Sequence, residues 1–401
     1  MKQFLLIYRT FLKIKCYLCS LNSCKMKYYV IAGEPSGDLH GGKLMRGIAK
    51  EDSEAQFRFC GGDSMATVGG EDAMLYHYKQ MSFFGFVQVV CNLRTIFRQI
   101  ATVKRDIESF NPDVVILIDY PAFNFRIAKW AKRRGIKVYY YIAPKVWAWK
   151  ERRVKRLKSD VDRLYTIFPF ETEYFRGKGI EPHFCGNPLV DDIAERRATL
   201  PTKEEFCRDN GLGNRPIVAL LAGSRISEIK ANLPQMVDIA RMFPEYQFVV
   251  TAVKWIDRSY YDKHIKGVDN VHYLCDKTQL TLAMSEAAIV TSGTATLETA
   301  LTGVPEVVLY RVPWLYEKLK PYFLKIPYIS LVNINLNREA VREIVRAKLD
   351  REESLSEVRA ILPGGKKRER MLRDFDELRA MMGKEGASDR FAQDIVKSLR
   401  G

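Results

Sequence analysis

Acidic, hydroxyl and small residues stand together directly after the first long apolar run of the chain. Residues 28–32 are apolar, and Glu34, Ser36, Gly37 and Asp38 follow before a helical pattern begins. At the carboxyl end of a parallel strand, small residues let a ligand approach the backbone, and a helix start offers N–H groups to an anion. These residues are therefore candidate ligand contacts. The alternative is that they only shape a turn and cap the helix.

A second carboxylate follows the most continuous apolar run. Residues 114–118 read Val-Val-Ile-Leu-Ile, which is typical of a parallel strand buried on both faces, and Asp119 comes next. Because parallel strands end at one edge of a sheet, we expect Asp119 to lie level with Glu34. A carboxylate in this place is a candidate general base, and a helix cap is the alternative.

Two strand-end loops in the second half of the chain carry glycine beside hydroxyl groups. One follows the apolar run 217–222 and the other follows 288–291. Backbone N–H groups at a helix start, together with an arginine, suit a diphosphate. An acid in the following helix can accept hydrogen bonds from ribose hydroxyls, although an ordinary first-turn acid is the alternative. The residues concerned are Gly223, Ser224, Arg225, Glu228, Ser292, Gly293, Thr294 and Glu298.

The elements that must position these loops form two α/β halves. Strand-like runs alternate with helical patterns on both sides of a polar stretch at 192–215, which is the best domain boundary. We predict domains at 26–200 and 201–380, and a C-terminal helix in 381–401 that packs back on the first. From Pro313 onward the pattern predicts helices and polar loops. The predicted fold class is α/β, with two doubly wound, Rossmann-like halves facing a central cleft.

Residues 1–25 form a leading segment of different character. They contain five basic and no acidic residues, and their apolar clusters are too short for a membrane span. We expect this segment to be an extension ahead of a natural start at Met26, with a membrane-surface helix as the alternative.

Composition limits the class of partner. The 401 residues include 64 Lys and Arg against 48 Asp and Glu, a net charge of +16 that favours nucleic acid, a phosphorylated substrate or an anionic membrane. The eight cysteines are scattered, which indicates a reducing compartment, and the single CxxC of Cys16 and Cys19 is weak support for a metal or redox site. We expect no metal or cofactor.

Two segments could meet a membrane. The most apolar stretch contains Phe83, Phe84, Phe86 and Val87. Apolar segments of this length most often form a buried helix or helix pair. Residues 126–158 carry thirteen basic residues against one acid and include Trp147 and Trp149. Such a surface attracts phosphate groups or anionic lipid, although most charge runs are solvated faces.

The combined motifs resemble the lipid-A-disaccharide synthases, glycosyltransferases of the GT-B fold, from about Met26 to the C-terminus. The matching segments are GEPSGD at 33–38, PDVVILIDYPAFN at 112–124, YIAPKVWAWK at 141–150, FPFE at 168–171, GNPLVD at 186–191, LAGSRISEI at 221–229, TSGTATLETAL at 291–301, GVPEVVLYR at 303–311 and SLVNINLNRE at 330–339. So many segments in the family's order make the likeness specific.

The resemblance implies an inverting, metal-independent reaction between UDP-diacylglucosamine and diacylglucosamine 1-phosphate. It implies Asp119 as base, with Glu34 sharing proton transfer or orienting the acceptor, and Ser36, Gly37 and Asp38 on the acceptor side. UDP would be held by the two second-half loops, joined by Asn333. The sequence departs from the family at two positions. Many relatives carry histidine where Asn187 stands. Some carry a second acid where Ala122 stands, and here Asp119 is the only acid of its motif.

The resemblance also changes the reading of the apolar stretch. Because both substrates carry acyl chains, a membrane or acyl contact is now predicted for Phe83, Phe84, Phe86, Val87, Trp147 and Trp149. The implied location is cytoplasmic, on the inner face of the cytoplasmic membrane, without nucleic acid and with a homodimer left open. The rivals are another UDP-sugar enzyme of this fold, such as the transferase of the peptidoglycan lipid intermediate, a UDP-sugar epimerase, and a basic nucleic-acid-binding protein.

Overall fold

Two parallel β-sheets, each flanked by helices, form the protein. The computed structural model describes residues 25–81, 92–149, 151–314 and 327–401. We call the seven-strand sheet with its helices the first domain and the six-strand sheet with its helices the second domain. The predicted class of two doubly wound α/β halves is confirmed.

The first sheet has the strand order β3-β2-β1-β4-β5-β6-β7, and every described pairing in it is parallel. Its strands are β1 (Lys27–Ala32), β2 (Gln56–Gly61), β3 (Met74–His77), β4 (Val114–Ile118), β5 (Lys137–Tyr141), β6 (Arg163–Thr166) and β7 (His183–Phe184).

The second sheet has the order β10-β9-β8-β11-β12-β13 and is also parallel throughout its described pairings. Its strands are β8 (Ile217–Leu221), β9 (Gln247–Ala252), β10 (Val271–Cys275), β11 (Ser285–Val290), β12 (Glu306–Arg311) and β13 (Arg342–Arg346).

The helices connect these strands and cover both faces of each sheet. In the first domain they are α1 (Pro35–Glu51), α2 (Asp63–Gly69), α3 (Tyr78–Met81), α4 (Leu93–Phe110), α5 (Pro121–Arg133), α6 (Val146–Trp149), α7 (Val154–Asp160), α8 (Pro169–Gly177) and α9 (Pro188–Arg197). After these come α10 (Lys203–Asp209), α11 (Ile226–Ala240), α12 (Ser259–Ile265), α13 (Thr278–Ala283), α14 (Thr294–Thr302), α15 (Leu331–Leu336), α16 (Arg351–Ile361), α17 (Arg368–Met382) and α18 (Ala387–Arg400).

Each sheet has one topological switch point, where the strand order reverses. In the first sheet it lies between β1 and β4, and in the second between β8 and β11. Ligands of open α/β sheets bind in the crevice beyond the carboxyl ends of the strands at such points. The four strand-end segments singled out in the sequence follow these four strands, so the topology brings them together in two pairs.

Burial explains why the central strands are so apolar. All five residues of β4 are fully buried, and so are five of the six residues of β1. A parallel strand with helices on both faces has no solvent side, so its sequence reads as a continuous apolar run rather than an alternation.

The last helix returns to the first domain. Phe391 of α18 makes an edge-to-face contact with Tyr141 of β5, with ring centroids 5.1 Å apart. A Cβ on Gly47 of α1 would lie 2.8 Å from the Cβ of Ala392, so glycine lets the two helices approach closely. Asp191 of α9 accepts hydrogen bonds from the backbone N–H groups of residues 386, 387 and 388 at 2.7 to 3.1 Å, which caps α18.

One part of the predicted architecture is wrong. The chain after Pro313 includes a strand, β13, in addition to helices. Its sequence, Arg-Glu-Ile-Val-Arg, has only one residue that is fully shielded from solvent, because it pairs with β12 alone and forms the edge of the sheet. An edge strand does not need the apolar run by which the central strands were recognised.

Candidate active site

Asp119 stands in a strained backbone conformation at the first switch point. It follows β4 directly, and both Asp119 and Tyr120 have positive φ, at 41° and 44°. Two consecutive non-glycine residues in the left-handed region cost free energy, on the order of 1–3 kcal/mol each, and such strain concentrates at functional sites. The turn places Asp119 within electrostatic reach of Glu34, which follows β1.

Buried polar groups hold this turn in place. The Asn124 side-chain amide donates hydrogen bonds to the carbonyl oxygens of Ile118 and Asp119, at 3.2 and 2.8 Å. The Tyr140 hydroxyl donates a further hydrogen bond to the Asp119 carbonyl at 2.5 Å. Asn124, the last residue of the Asp-Tyr-Pro-Ala-Phe-Asn motif, therefore fixes the backbone of Asp119, the first residue. This interaction explains the spacing of the two residues.

The environment of Asp119 tunes its acidity. Burial raises the pKa of the Asp119 carboxyl from 3.8 to about 6, the nearby Lys145 ammonium opposes this rise, and the Glu34 carboxylate adds to it. A general base is most effective when its pKa lies near the working pH. Asp119 is ionised at neutral pH and remains basic enough to accept a proton.

Glu34 occupies the other side of the same crevice. It is the N-cap residue of α1, but its side chain makes no capping hydrogen bond. Gly33 before it faces the Tyr120 ring, where a Cβ would lie 2.3 Å from ring carbons. The missing side chain at Gly33 thus lets the β1 and β4 turns close on each other and brings Glu34 near Asp119. Ser36 is exposed beside them.

Two of the predicted acceptor contacts, Asp38 and Gly37, are buried and have structural tasks. The Asp38 carboxylate is buried and accepts hydrogen bonds from the backbone N–H groups of Gly62, Ser64 and Met65, at 2.7 to 3.1 Å. It therefore caps α2 and has a structural task. Gly37 is also buried, with a Cβ position 3.3 Å from the Cβ of Ala32, so it serves the packing of α1 on β1.

At the second switch point, the loop after β8 is occupied by one of its own side chains. The Glu228 carboxylate accepts hydrogen bonds from the backbone N–H groups of Ser224 and Arg225, at 3.0 and 3.3 Å. The Arg225 guanidinium donates to the same carboxylate at 3.0 Å. Gly223 permits this, since its φ is 110° and a Cβ there would lie 2.5 Å from the carboxylate. Glu228 thus engages the groups that were predicted to hold a diphosphate.

The loop after β11 is open by comparison. Gly293, with φ 141°, precedes α14, and among the described residues no side chain makes a capping hydrogen bond to that helix. Gly293 and Thr294 are exposed, while the Ser292 hydroxyl donates to the Ile329 carbonyl at 3.0 Å. An uncapped helix N-terminus presents its N–H groups and the positive end of its dipole to the pocket.

Glu298 lies one turn further along α14, at the junction of the domains. Burial raises the pKa of its carboxyl to about 7, opposed by Arg196 of α9, whose guanidinium lies 3.6 Å away. A carboxyl in this state can accept or donate hydrogen bonds, which suits a polyhydroxylated ligand.

The predicted contact of Asn333 with a nucleotide is wrong. Asn333 is fully buried, and its amide donates to the Val341 carbonyl and the Glu343 carboxylate at 2.8 and 2.9 Å. Its oxygen accepts from the backbone N–H groups of Ala340 and Val341. Both ends of the amide are committed, so the residue joins α15 to β13 and has nothing left to offer a ligand.

A pocket of about 450 Å³ unites the second-domain loops. Its volume falls in the range usual for small-ligand sites. Lys145, in the loop after β5, is the first-domain residue that lines it. Sequence reasoning did not single out Lys145, although it stands at a strand end like the other candidates. The remaining lining residues include Gly223, Ser224, Arg225, Glu228, Thr291, Ser292, Gly293, Thr294 and Glu298.

Trp147 is half-buried and its side chain contacts α8. Its indole N–H donates to the Glu171 carboxylate at 3.0 Å, and its ring meets Phe170 edge to face with centroids 4.8 Å apart. Burial raises the pKa of the Glu171 carboxyl to about 7, and the indole hydrogen bond opposes that rise. This contact fixes the segment that carries Lys145.

Several expectations concern other parts of the chain. Phe83, Phe84, Phe86 and Val87 and the side chain of Trp149 lie outside the described residues. Within the described ranges there is no group of three or more His, Cys, Asp and Glu side chains that could hold a metal ion. In the same ranges, no helix is long and apolar enough to cross a membrane.

Comparison with known proteins gives a consistent set of relatives. A family model described as lipid-A-disaccharide synthetase matches residues 28–393. The lipid-A-disaccharide synthase of Syntrophus aciditrophicus is 35% identical over 370 residues, which cover 90% of this chain and 95% of that protein. The enzyme of the same name from Myxococcus xanthus is 33% identical over 376 residues, covering 92% and 97%.

Solved structures are similar in fold at much lower identity. The UDP-GlcNAc 2-epimerase of Neisseria meningitidis bound to UDP-GlcNAc superposes with a TM-score of 0.58 at 13% identity, covering 93% of this chain and 99% of that one. The glycotransferase of kitacinnamycin gives 0.61 at 14%, covering 94% and 99%. Since the identity is so low, these likenesses concern the two-domain fold alone.

Proposed function

Because this chain belongs to the lipid-A-disaccharide synthetase family, we propose that it joins UDP-2,3-diacylglucosamine to 2,3-diacylglucosamine 1-phosphate, releasing UDP. The chain is a glycosyltransferase of lipid A disaccharide synthesis with the two-domain GT-B fold. The acyl-sugar identities and the residue roles given below are the proposal.

One observation carries the assignment of roles. A strained aspartate whose pKa is raised to about 6 stands at the switch point of the first sheet, and a pocket with an uncapped helix N-terminus stands at that of the second. Lys145 lines this pocket and also acts electrostatically on Asp119. Lys145 thus links the two places, since it lines the pocket and lies close enough to Asp119 to lower its pKa.

In the proposed reaction, Asp119 takes the proton of the attacking acceptor hydroxyl. The hydroxyl oxygen bonds to the anomeric carbon of the donor, and the bond from that carbon to the diphosphate breaks, leaving its electron pair on UDP. Glu34 orients the acceptor sugar and keeps the Asp119 pKa high, and Ser36 lies on the acceptor side. The N-terminus of α14 and Arg225 stabilise the diphosphate charge as it develops.

The second domain holds the nucleotide in this scheme. Gly223 and Gly293 let the donor approach the backbone, and Ser292, Thr294 and Ser224 offer hydroxyl and N–H groups. Glu298 accepts hydrogen bonds from the ribose hydroxyls. Glu228 holds the Arg225 side chain in place, since the two form an ion pair.

Turnover with defined substrates tests the proposal. Purified protein mixed with UDP-diacylglucosamine and diacylglucosamine 1-phosphate should release UDP and form a disaccharide phosphate. Asp119→Ala should reduce kcat by at least 10³-fold while UDP binding, measured by calorimetry, stays within twofold of wild type. Near-normal turnover of this variant would exclude Asp119 as the base.

The choice of sugar substrate has its own control. UDP-N-acetylglucosamine, offered with and without an acceptor, should be neither transferred nor epimerised. Conversion of this unacylated donor at a comparable rate would favour one of the rival UDP-sugar activities.

We also propose that the start of α4 rests on an anionic membrane. Leu93 and Phe97 are 40% and 53% exposed one helical turn apart, and Arg94 and Arg98 are exposed beside them. The Arg126 guanidinium lies over the Phe97 ring, 4.8 Å from its centroid. An apolar ridge within basic residues suits the interface of an anionic bilayer, where acylated substrates reside.

A further inference from the structure

Lys145 is presented by a loop whose other residues are anchored. Ala143, Pro144 and Val146 are buried, while Lys145 between them is exposed. The Ala143 backbone N–H donates to the Tyr165 carbonyl at 3.0 Å, which ties the loop to β6. The hydrogen bond from Trp147 to Glu171 fixes the loop on its other side. Such anchoring reduces the freedom that a lysine usually has to leave a site.

The direction of the loop follows from the sheet. Strand β5 pairs with β4, so the loop after β5 opens at the same edge as Asp119. From there the Lys145 side chain enters the pocket that the second-domain loops otherwise form. It is thus the place where the first domain reaches the nucleotide site.

Lys145 also differs from the other charged residues of this pocket in its lack of a direct partner. Within the described part of the chain it makes no hydrogen bond or ion pair, although it lies close enough to Asp119 and Glu171 to influence both. The other charged lining groups have partners: Arg225 pairs with Glu228, and Glu298 lies beside Arg196. An exposed ammonium near the N-terminus of α14 adds to the positive field in the pocket, and this field favours an anion there.

We propose that Lys145 binds the diphosphate of the UDP-sugar and stabilises the departing UDP, as the cation supplied by the first domain. This inference rests on the proposed function. When the bond between the anomeric carbon and the diphosphate oxygen breaks, negative charge increases on that oxygen, and an ammonium held nearby lowers the barrier. A lysine acts here as a point charge on phosphate, so its effect depends on charge more than on hydrogen-bond geometry.

The test compares ligands that differ only in phosphate. Calorimetry with uridine, UMP and UDP is carried out on wild type, Lys145→Met and Lys145→Arg. We expect Lys145→Met to weaken UDP binding about tenfold and UMP binding less, with uridine binding unchanged. Lys145→Arg should restore most of the UDP affinity. Lys155→Met, which removes an exposed lysine of the same domain, is the matched control and should change none of these values.

Kinetics distinguish this role from an effect on Asp119. In addition to weakening UDP binding, Lys145→Met should lower kcat by 10- to 100-fold, because the charge on the leaving group grows in the transition state. Unchanged UDP binding, with a loss of rate confined to a shift of the acid limb of the pH profile, would overturn the proposal and make Lys145 a positioning residue for Asp119.

The proposal and the proposed function can fail separately. If wild type does not turn over the two acylated sugars but Lys145→Met still loses UDP affinity selectively, the diphosphate contact stands and the reaction assignment falls. If wild type is active and Lys145→Met binds UDP normally with normal kcat, the contact falls and the reaction stands.

Discussion

Asp119 and Glu34 form an unequal pair of carboxyl groups. Burial dominates the pKa of Asp119, and the charge of Glu34 raises it further. Activity should therefore rise with pH through an apparent pKa of about 6, as Asp119 loses its proton, and level off above it. The environment thus divides two similar side chains into a base and a neighbour that adjusts it.

Replacing Glu34 by glutamine should move this pH dependence in a definite direction. Without the neighbouring negative charge, the Asp119 carboxylate is easier to form, so its pKa falls. The acid limb of kcat/KM should shift to lower pH by roughly half a unit. Glu108→Gln, which removes an exposed carboxylate of α4, should leave the limb in place. A limb that does not move with Glu34→Gln would mean that Asp119 does not control it.

Glu306 is a buried carboxyl group with no evident use. It begins β12, is fully buried, and neither side-chain oxygen has a hydrogen-bond partner among the described residues. Burial raises the pKa of Glu306 well above its usual value, and Glu343 adds to this effect. Since its folded-state pKa exceeds the unfolded one, Glu306 destabilises the fold increasingly as pH rises above about 4.5.

Glu306→Met should therefore stabilise the protein. Methionine has a similar volume and removes an unsatisfied polar group, which favours a gain of about 1–3 kcal/mol. Thermal unfolding at pH 6 and pH 8 should show a higher midpoint for the variant, with the larger gain at pH 8. Glu245→Met, an exposed position, is the control. A lower midpoint at both pH values would show that the carboxyl group has an important partner.

At the scale of elements, the loop before α11 is closed by its own helix. The Glu228 carboxylate accepts hydrogen bonds from the backbone N–H groups of Ser224 and Arg225 and from the Arg225 guanidinium, so the α11 N-terminus already holds a carboxylate where a phosphate would bind. A diphosphate must share or displace this carboxylate. The loop before α14 has no such internal anion, and for that reason we expect it to be the first contact of the diphosphate.

Glu228→Gln should test this competition. The glutamine oxygen can still accept the loop N–H groups, but Arg225 loses its ion-pair partner and the pocket loses a negative charge. UDP binding should tighten about three- to tenfold, since the interaction of one charge with a helix N-terminus is worth about 1 kcal/mol. Asp238→Asn, which breaks the Asp238–Arg241 pair of the same helix, should have no effect. Weaker UDP binding would show that Glu228 positions Arg225 for the phosphate.

The α4 ridge gives a second prediction for an element. Replacing Leu93 and Phe97 together by serine should lower flotation with anionic vesicles several-fold, because both apolar contacts are lost. Folding should be unchanged, since both side chains are exposed. Met242→Ser, an exposed apolar position of the second domain, should bind vesicles like wild type. Equal flotation of all three proteins would contradict the membrane role of α4.

Only part of the site could be predicted from the sequence, and there is a physical reason why the remaining residues could not. Asp119 and the glycine loops follow apolar runs, and parallel topology sends such strand ends to one edge. Asp38 and Asn333 also have polar side chains in suggestive motifs, yet their partners lie 24–27 and 7–10 residues away. Local sequence does not reveal that a side chain is already satisfied. Lys145 was missed because its significance comes from the opposite domain.

At the scale of the molecule, the chain crosses between its domains and returns. The α9 helix leads away from the first domain, and α18 comes back to it after the second. Asp191 joins these two helices, since it belongs to α9 and its carboxylate caps the N-terminus of α18. The aromatic contact of Phe391 with Tyr141 adds apolar burial at the same interface. The first domain is therefore completed by the last residues of the chain.

Asp191→Ala should weaken the attachment of α18 to the first domain, although only one side chain is removed. Three backbone N–H groups at the start of α18 lose a buried, charged acceptor, and bonds of this type contribute about 1.5–3 kcal/mol each, although their effects do not add fully. Hydrogen exchange should accelerate at least tenfold in α18 and in the facing residues of α1, while β8 and β9 in the second domain keep their protection. UDP binding should persist, because the nucleotide loops belong to the second domain and the Lys145 loop keeps its own anchors on β6 and Glu171.

The matched control lies on the same interface. Asp389 of α18 pairs with Lys50 of α1 at 2.8 Å, but both side chains are about half exposed. Exposed ion pairs contribute little, on the order of 0–1 kcal/mol, so Asp389→Ala should leave exchange in α18 within about threefold of wild type. If Asp191→Ala and Asp389→Ala behave alike, apolar packing alone holds the helix. If Asp191→Ala also exposes β8 and β9, the two domains unfold as one unit and the return helix couples them.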